Sequence, residues 1–527
     1  MSALVTDQFR ILNATNFIES VDDTADSYYV WVGLTNPNIS GFGRNSNWDG
    51  GSGVVDGVVP NPIDNLDYLT QYEDTLLFGK KVTSSNIRRV IKRVDWARGK
   101  KYDMYRHDYS ITNLSPIAKR ARLYDSEYYV INSDYKVYIC IQNGSSGINT
   151  TGNQSLYEPT HTDLEPTVAG LGGDGYLWKY LFTVSPSDIV KFDSTEYITL
   201  PNNWSTSTDS QIVSVRENGD STVNDNQIKT VYIDNPGSNY QFLPEAVEVD
   251  ILGDGTGGRV SIETNSSGEI INTIVTSGGK GYTYGIVDLG PIQSSGNISN
   301  PAKLIPIIPP SRGHGFDLYK ELGADKVMIY SRFDDSSRDF PTNTKFCQIG
   351  ILKNPTNFVG IETFSGPQFS GLYAIKFNDD TVNNIPPTIG NKITQVVSEG
   401  TAVGYVASYD TDTKVLKYFK DRSLYYGPTY DQTDYVNVSI NANANIDFDS
   451  NGGNIVSENG FVGQIASFTG ITTTVNGAIV NLGVSFTNGL SDPEINKKTG
   501  EIIYIDNRPL VSRNIRQKED IKIILEF

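Results

Sequence analysis

Cysteine, histidine and methionine are scarce in this chain of 527 residues. Cys140 and Cys347 are its two cysteines, far apart in sequence, which excludes a disulfide scaffold and a Cys-rich zinc module. His107, His161 and His314 are its three histidines, so little is left for metal ligation or acid–base chemistry. Long apolar runs are also missing. None approaches the roughly 18 residues of a membrane span, and no membrane contact is expected. The start, MSALVTDQFRILN, lacks the basic-then-apolar layout of a signal peptide. A soluble intracellular product is expected. A net basic charge is absent as well: 43 Lys/Arg stand against 61 Asp/Glu, a balance of −18. Nucleic acid and anionic membrane would both repel such a chain overall.

What is present suits strands and turns. Glycine is abundant at 49, and the 31 tyrosines outnumber the 21 phenylalanines. At roughly 150 residues per domain, the length suggests three or four domains with ample core. Residues 1–70 read mostly as strands and turns, with SYYVWVGL a strand and 41–53 a turn-rich loop. Over 65–81, Leu66, Leu69, Tyr72 and Leu76 follow a near-helical period that Gly79 would end, which predicts a helix. The segments 134–143, 172–184 and 196–201 read as strands, as do several short runs between 316 and 490. The C-terminal 499–527 reads as strand, turn, connection, strand. The stretches 229–240 and 271–282 form a weak internal repeat, each a β-branched strand, a glycine turn and a tyrosine (Tyr240, Tyr282). Two copies are too few for a solenoid, so a small β-module of paired hairpins is expected.

One stretch breaks the acidic trend. Residues 80–122 carry 13 Lys/Arg against three Asp, a local balance of +10 that leaves −28 elsewhere. Ile87, Val90, Ile91 and Val94 fall at helical spacing after Ser85, which predicts a capped amphipathic helix with its charges outward. The basic stretch has three readings, in descending order: a solvated face, a contact with an acidic partner or second copy, and a nucleic-acid contact with Trp96, Tyr102 and Tyr105 interleaved for stacking. Arg88, Arg89, Lys92, Arg93 and Trp96 are the candidate interface residues.

Two sequence patterns resemble ligand loops. Residues 253–258, GDGTGG, fit G-x-G-x-x-G, but a strand pattern follows where a dinucleotide site needs a helix, so a hairpin turn is expected. Asp447, Asp449, Asn451, Gly452 and Glu458 fit the EF-hand spacing. Their flanks do not look helical and Asn454 replaces the usual apolar residue. An Asn/Asp/Gly turn is favoured, with a calcium loop between strands as the alternative. His161 in a polar loop and His314 between glycines read as exposed or turn residues. No triad, G-x-S-x-G or H-E-x-x-H appears. Neither a catalytic constellation nor a cofactor is predicted.

Several segments together resemble the baseplate wedge protein family of T4-like contractile-tailed phages, the product of gene eight. Near the start these are Val5-Thr6, Phe9-Arg10, Gly43-Arg44 and Trp48, then Val90-Ile91, Arg93 and Asp95-Trp96. Gly173-Asp174-Gly175-Tyr176 with Trp178 and Tyr180-Leu181-Phe182 is the most specific stretch, followed by Glu196-Tyr197-Ile198 and Pro201. Gly500-Glu501, Ile503-Tyr504, Asn507-Arg508-Pro509, Gln517, Glu519, Ile521 and Phe527 complete it. The resemblance covers about 1–201 and 499–527. It implies a non-enzymatic structural protein of the virion tail baseplate, assembled in the host cytoplasm. A homodimer that joins neighbouring wedge proteins is implied too. The expected fold is mainly β with some α, with modules inserted into a discontinuous frame. Residues 1–201 and 499–527 would form the frame, 202–300 a Gly-rich β-repeat insert and 301–498 a second β-rich insert. A receptor- or glycan-binding tail protein is the first alternative, and a tail-associated hydrolase the second.

Overall fold

The computed structural model describes residues 6–33, 76–294, 298, 300–334, 345–389, 391–420, 446–512 and 517–527. The fold is mainly β, with several antiparallel sheets and few helices. The chain divides into two compact units. One takes residues 1–18, 88–328 and 524–527, and the other takes 19–87 and 329–523. The N-terminal stretch up to 201 is thus shared between both units.

The first unit is centred on a three-stranded antiparallel sheet of Tyr129–Ile131, Lys136–Asn143 and Tyr176–Thr183. Tyr176, Trp178 and Tyr180 alternate along the last strand and share one face, and the register shifts between Tyr180 and Phe182. All four are buried. Tyr176 stacks on Trp178 with ring centroids 5.3 Å apart, and Tyr102 meets Trp178 edge-on at 5.8 Å. The turn that feeds this strand is organised by the buried Asp174, whose carboxylate accepts hydrogen bonds from the Leu156 and Tyr176 amides. Gly173 and Gly175 flank it at φ +86° and +83°, a region that disfavours side chains.

The Gly-rich module of this unit has its own core. Its four-stranded sheet runs in the order Ile270–Lys280, Thr256–Thr264, Val247–Gly253, Gly285–Val287. Residues 253–258 form the expected hairpin turn, and the structure supplies the reason for their glycines. The buried Tyr282 ring lies where side chains would project: a Cβ on Gly255 or Gly258 would come within 2.4 or 2.8 Å of it. Its hydroxyl donates to Ile251 O and accepts from the Gly258 amide. Tyr240 of the other repeat copy is buried in the same core, and a Cβ on Gly237 would approach its ring to 2.8 Å. The repeat is a twofold use of one device, a tyrosine seated against glycine.

In the second unit, a five-stranded sheet runs Gln368–Ser370, Leu76–Lys81, Tyr28–Gly33, Lys345–Lys353, Glu501–Ser512. Strands from the beginning and the end of the chain therefore lie in one sheet. The buried Trp31 sits across from Gly350, where a Cβ would fall 2.4 Å from the indole. A seven-stranded sheet built from segments between 373 and 491 follows, with the hairpin Gly470–Val475 and Ala478–Phe486.

Three sequence expectations change. The segment Leu76–Lys81, expected to end a helix, is a strand paired with Tyr28–Gly33. Gly79 does not stop a helix there but admits the Phe369 ring. The rest of the expected helix, 65–75, lies outside the described residues, as do the loop 41–53 and the run 435–440. The expected basic helix is instead a short 3-10 turn, Ser84–Asn86, followed by the strand Ile87–Lys92. Ile87, Arg89, Val90 and Ile91 are all buried, so this strand is enclosed on both faces. Such a strand can mimic helical spacing. Finally, Asp7–Asp22 is a helix within a region expected to be strands and turns. Its buried residues Ile11, Ala14, Ile18 and Val21 form a narrow stripe.

Trp178→Ala empties a fully buried site in the aromatic sheet. It should lower the unfolding free energy in urea by about 3–5 kcal/mol. A loss below about 1 kcal/mol would contradict a core role for this indole.

Candidate functional site

The first unit contains a concave, charge-lined cleft of about 670 Å³. Six parts of the chain build it. The helix Asp7–Asp22 supplies Arg10, and the end of the strand Ile87–Lys92 with the next residue supplies Ile91, Lys92 and Arg93. Segment 120–129 adds Arg120, Arg122, Tyr124, Asp125 and Tyr129, while 195–197 adds Glu196 and Tyr197. Leu322, Asp325, Lys326 and Glu526 close it.

Several of these charges are matched inside the chain. Arg122 pairs with Asp7 and lies 3.8 Å from Asp125. Lys326 contacts Asp325 at 2.8 Å and Glu526 at 3.2 Å. Arg93 pairs with Asp95 at 2.9 Å and Asp193 at 3.2 Å. Arg10, Lys92 and Arg120 have no side-chain hydrogen bond or ion pair among the described residues.

Of the five residues singled out from sequence, Lys92 and Arg93 line this cleft. The other three lie elsewhere. Arg88 pairs with Asp188 at 2.9 Å above the Phe192 ring. Arg89 is only 3% exposed and lies 3.9 Å from the centre of the Tyr319 ring. Trp96 is half-buried, and its Nε1 donates to Ser155 Oγ at 3.0 Å. Tyr102 and Tyr105 are buried, so they are not presented for base stacking. Arg120 and Arg122 belong to the same basic stretch and were visible in its charge. Arg10 and Lys326 carried no such signal, because folding alone brings them there.

A second polar centre lies inside the unit. Lys179 follows Trp178 on the aromatic strand and has 0% exposure. Its Nζ donates to Leu164 O at 2.6 Å and Asn218 Oδ1 at 2.8 Å. Two donors suffice for both bonds, so a neutral amine satisfies them. Burial, reinforced by the Lys229 charge, pushes its pKa down from 10.5 to about 7. Asn218 donates in turn to the exposed Glu165, which also accepts from Asn226 and Lys229. Burial alone would raise the Glu165 pKa, but Lys229 and these hydrogen bonds outweigh it and hold the carboxyl below its ordinary value.

His314 is buried rather than exposed, and His161 is half-buried. His314 Nδ1 lies 2.6 Å from Glu321 Oε1, while the other oxygen of Glu321 accepts from the Gly315 amide. Both carboxylate oxygens are thus engaged in holding this loop. Burial pushes the His314 pKa down, and Glu321 offsets part of that shift.

The loop with EF-hand spacing is organised by a side chain. Gln395 Nε2 donates to Asp449 O and Gly453 O, and its Oε1 accepts from the Asp449 amide. Asp447 pairs with Lys420, and Asp449 accepts from the Asn451 amide in a local turn. No group of three or more His, Cys, Asp or Glu converges as a metal site among the described residues.

The comparisons with known proteins agree with the resemblance in sequence. A family described as Bacteriophage T4, Gp8 matches residues 3–160. The baseplate wedge protein gp8 of Enterobacteria phage T4 is 26% identical over 214 residues, covering 38% of this chain and 60% of that protein. The chain thus matches about 60% of the length of this curated relative.

Two predictions follow from the charges. Arg89→Glu should cost at least ~3 kcal/mol of stability, and Lys92→Glu less than about 0.5 kcal/mol, on urea unfolding. For Lys179, the folded protein disfavours the charged amine. That penalty is full below about pH 7 and fades as pH rises towards 10.5. Wild type should therefore gain stability relative to Lys179→Met between pH 7 and 10, by up to about 1.4 kcal/mol per pH unit. A flat difference would mean that Lys179 does not titrate in this way.

Proposed function

We propose that this chain, a distant homologue of the phage T4 Gp8 family, is a structural component of a contractile-tail baseplate wedge. In this reading it is not an enzyme. It acts in the virion as a rigid connector between neighbouring wedge proteins, and it pairs with a second copy of itself. Residues 1–201 and 499–527 serve as the frame, and the stretches 202–300 and 301–498 are modules carried by it. Lys92 and Arg93 face the assembly, whereas Arg88, Arg89 and Trp96 support the frame from within.

One observation carries the reading. Residues 3–160, which match the family, overlap the segments that build the aromatic core and much of the charged cleft. The matched range includes core residues such as Tyr102, Tyr129 and Val137, all buried. A packed core with no catalytic constellation among the described residues suits a part whose work is to hold others in place.

Electron microscopy of assembled tails tests this directly. Density for this chain is expected in the baseplate, as a pair, together with co-purification of other tail proteins. Tails that lack the chain would overturn the reading, and glycan-array binding by the full chain would favour the receptor-binding alternative instead.

A further inference from the structure

The cleft beside Lys92 allows its partner to be described chemically, in an inference that rests on the assembly reading above. Arg93, Arg122 and Lys326 already have carboxylate partners, which leaves Arg10, Lys92 and Arg120 as cations with none among the described residues. These three come from separate segments, yet they line one concavity. Its walls are not purely polar: Ile91, Leu322, Tyr124, Tyr129 and Tyr197 also contribute. Asp125, Glu196, Asp325 and Glu526 line it too, so cations and carboxylates are interspersed.

That mixture discriminates between anions. A phosphodiester backbone carries charge at every step and would be forced past four carboxylates. A peptide can place carboxylates opposite Arg10, Lys92 and Arg120 and apolar side chains between them. The surplus acid elsewhere in this chain shows that the cleft is not simply part of a basic surface.

We propose that the cleft receives an acidic peptide segment, with apolar residues between its carboxylates, presented by a neighbouring protein of the assembly. Charge steers the segment in and fixes its register, and the apolar contacts hold it.

The test uses the full chain and fluorescence anisotropy with a short labelled peptide of interleaved glutamates and leucines. The combined variant Arg10→Ser, Lys92→Ser, Arg120→Ser should raise Kd about tenfold or more. Its melting temperature should be unchanged, because none of the three side chains has a partner to lose. The combined control Arg259→Ser, Lys280→Ser, Lys303→Ser should bind as wild type does. Added salt should weaken the wild-type complex. Four results would overturn the inference: absence of peptide binding, wild-type affinity in the cleft variant, equally tight binding of a duplex DNA oligonucleotide, or loss of self-association in the cleft variant. The last would assign the cleft to a second copy. Tail incorporation separates this inference from the assembly reading. If wild type is absent from tails, the assembly reading fails, whatever the peptide does. If wild type and cleft variant enter tails equally, only the cleft inference fails.

Discussion

A lysine amine with no access to water lies inside the first unit, on the residue that follows Trp178 in the aromatic strand. Lys179 can occupy that position only while Leu164 O and Asn218 Oδ1 accept its hydrogen bonds. The requirement fixes a loop and the helix Ser210–Gly219 against the aromatic sheet. Asn218 then passes the constraint to Glu165, and Glu165 passes it to Asn226 and Lys229 at the entry to the Gly-rich module. One buried polar group thereby orients two separately packed cores. Such a group stabilises less than a methionine of the same volume would, but it tolerates few alternative arrangements.

Aromatic rings and glycines form the complementary apolar device. Tyr282 against Gly255 and Gly258, Tyr240 against Gly237, Trp31 against Gly350, and Phe369 against Gly79 repeat the same solution in both units. A flat ring lies on bare backbone, and the absent Cβ is what permits the approach. Rings seated on backbone resist sliding better than interchangeable aliphatic contacts would.

The strands at Lys136–Asn143 and Tyr176–Thr183 were readable because each is a short run dense in β-branched and aromatic residues. The strand Ile87–Lys92 was not, because its charged residues alternate irregularly with buried ones and Arg89 itself is buried. Apolar spacing cannot separate a helix from a strand enclosed on both sides. The helix Asp7–Asp22 escaped for the opposite reason, since small and polar residues dilute its stripe of Ile11, Ala14, Ile18 and Val21. The cleft was half visible. Lys92, Arg93, Arg120 and Arg122 stood out as local charge, whereas Arg10 and Lys326 reach it only through tertiary folding. The motifs at 253–258 and 447–458 share a lesson: the glycines of the first seat the Tyr282 ring, and the main chain of the second is held by Gln395.

The shared sheet of the second unit also has a consequence in time. Tyr28–Gly33 can pair with Leu76–Lys81 soon after both are made, but its other neighbour, Lys345–Lys353, is encoded far downstream. At ~5–20 residues per second of synthesis, that edge waits roughly 15–60 s for its partner. During the wait an apolar strand, YYVWVG, has one side of its backbone unpaired. That sheet is complete only once Glu501–Ser512 has also been made, and its integrity in the cell depends on what shields the open edge in the meantime.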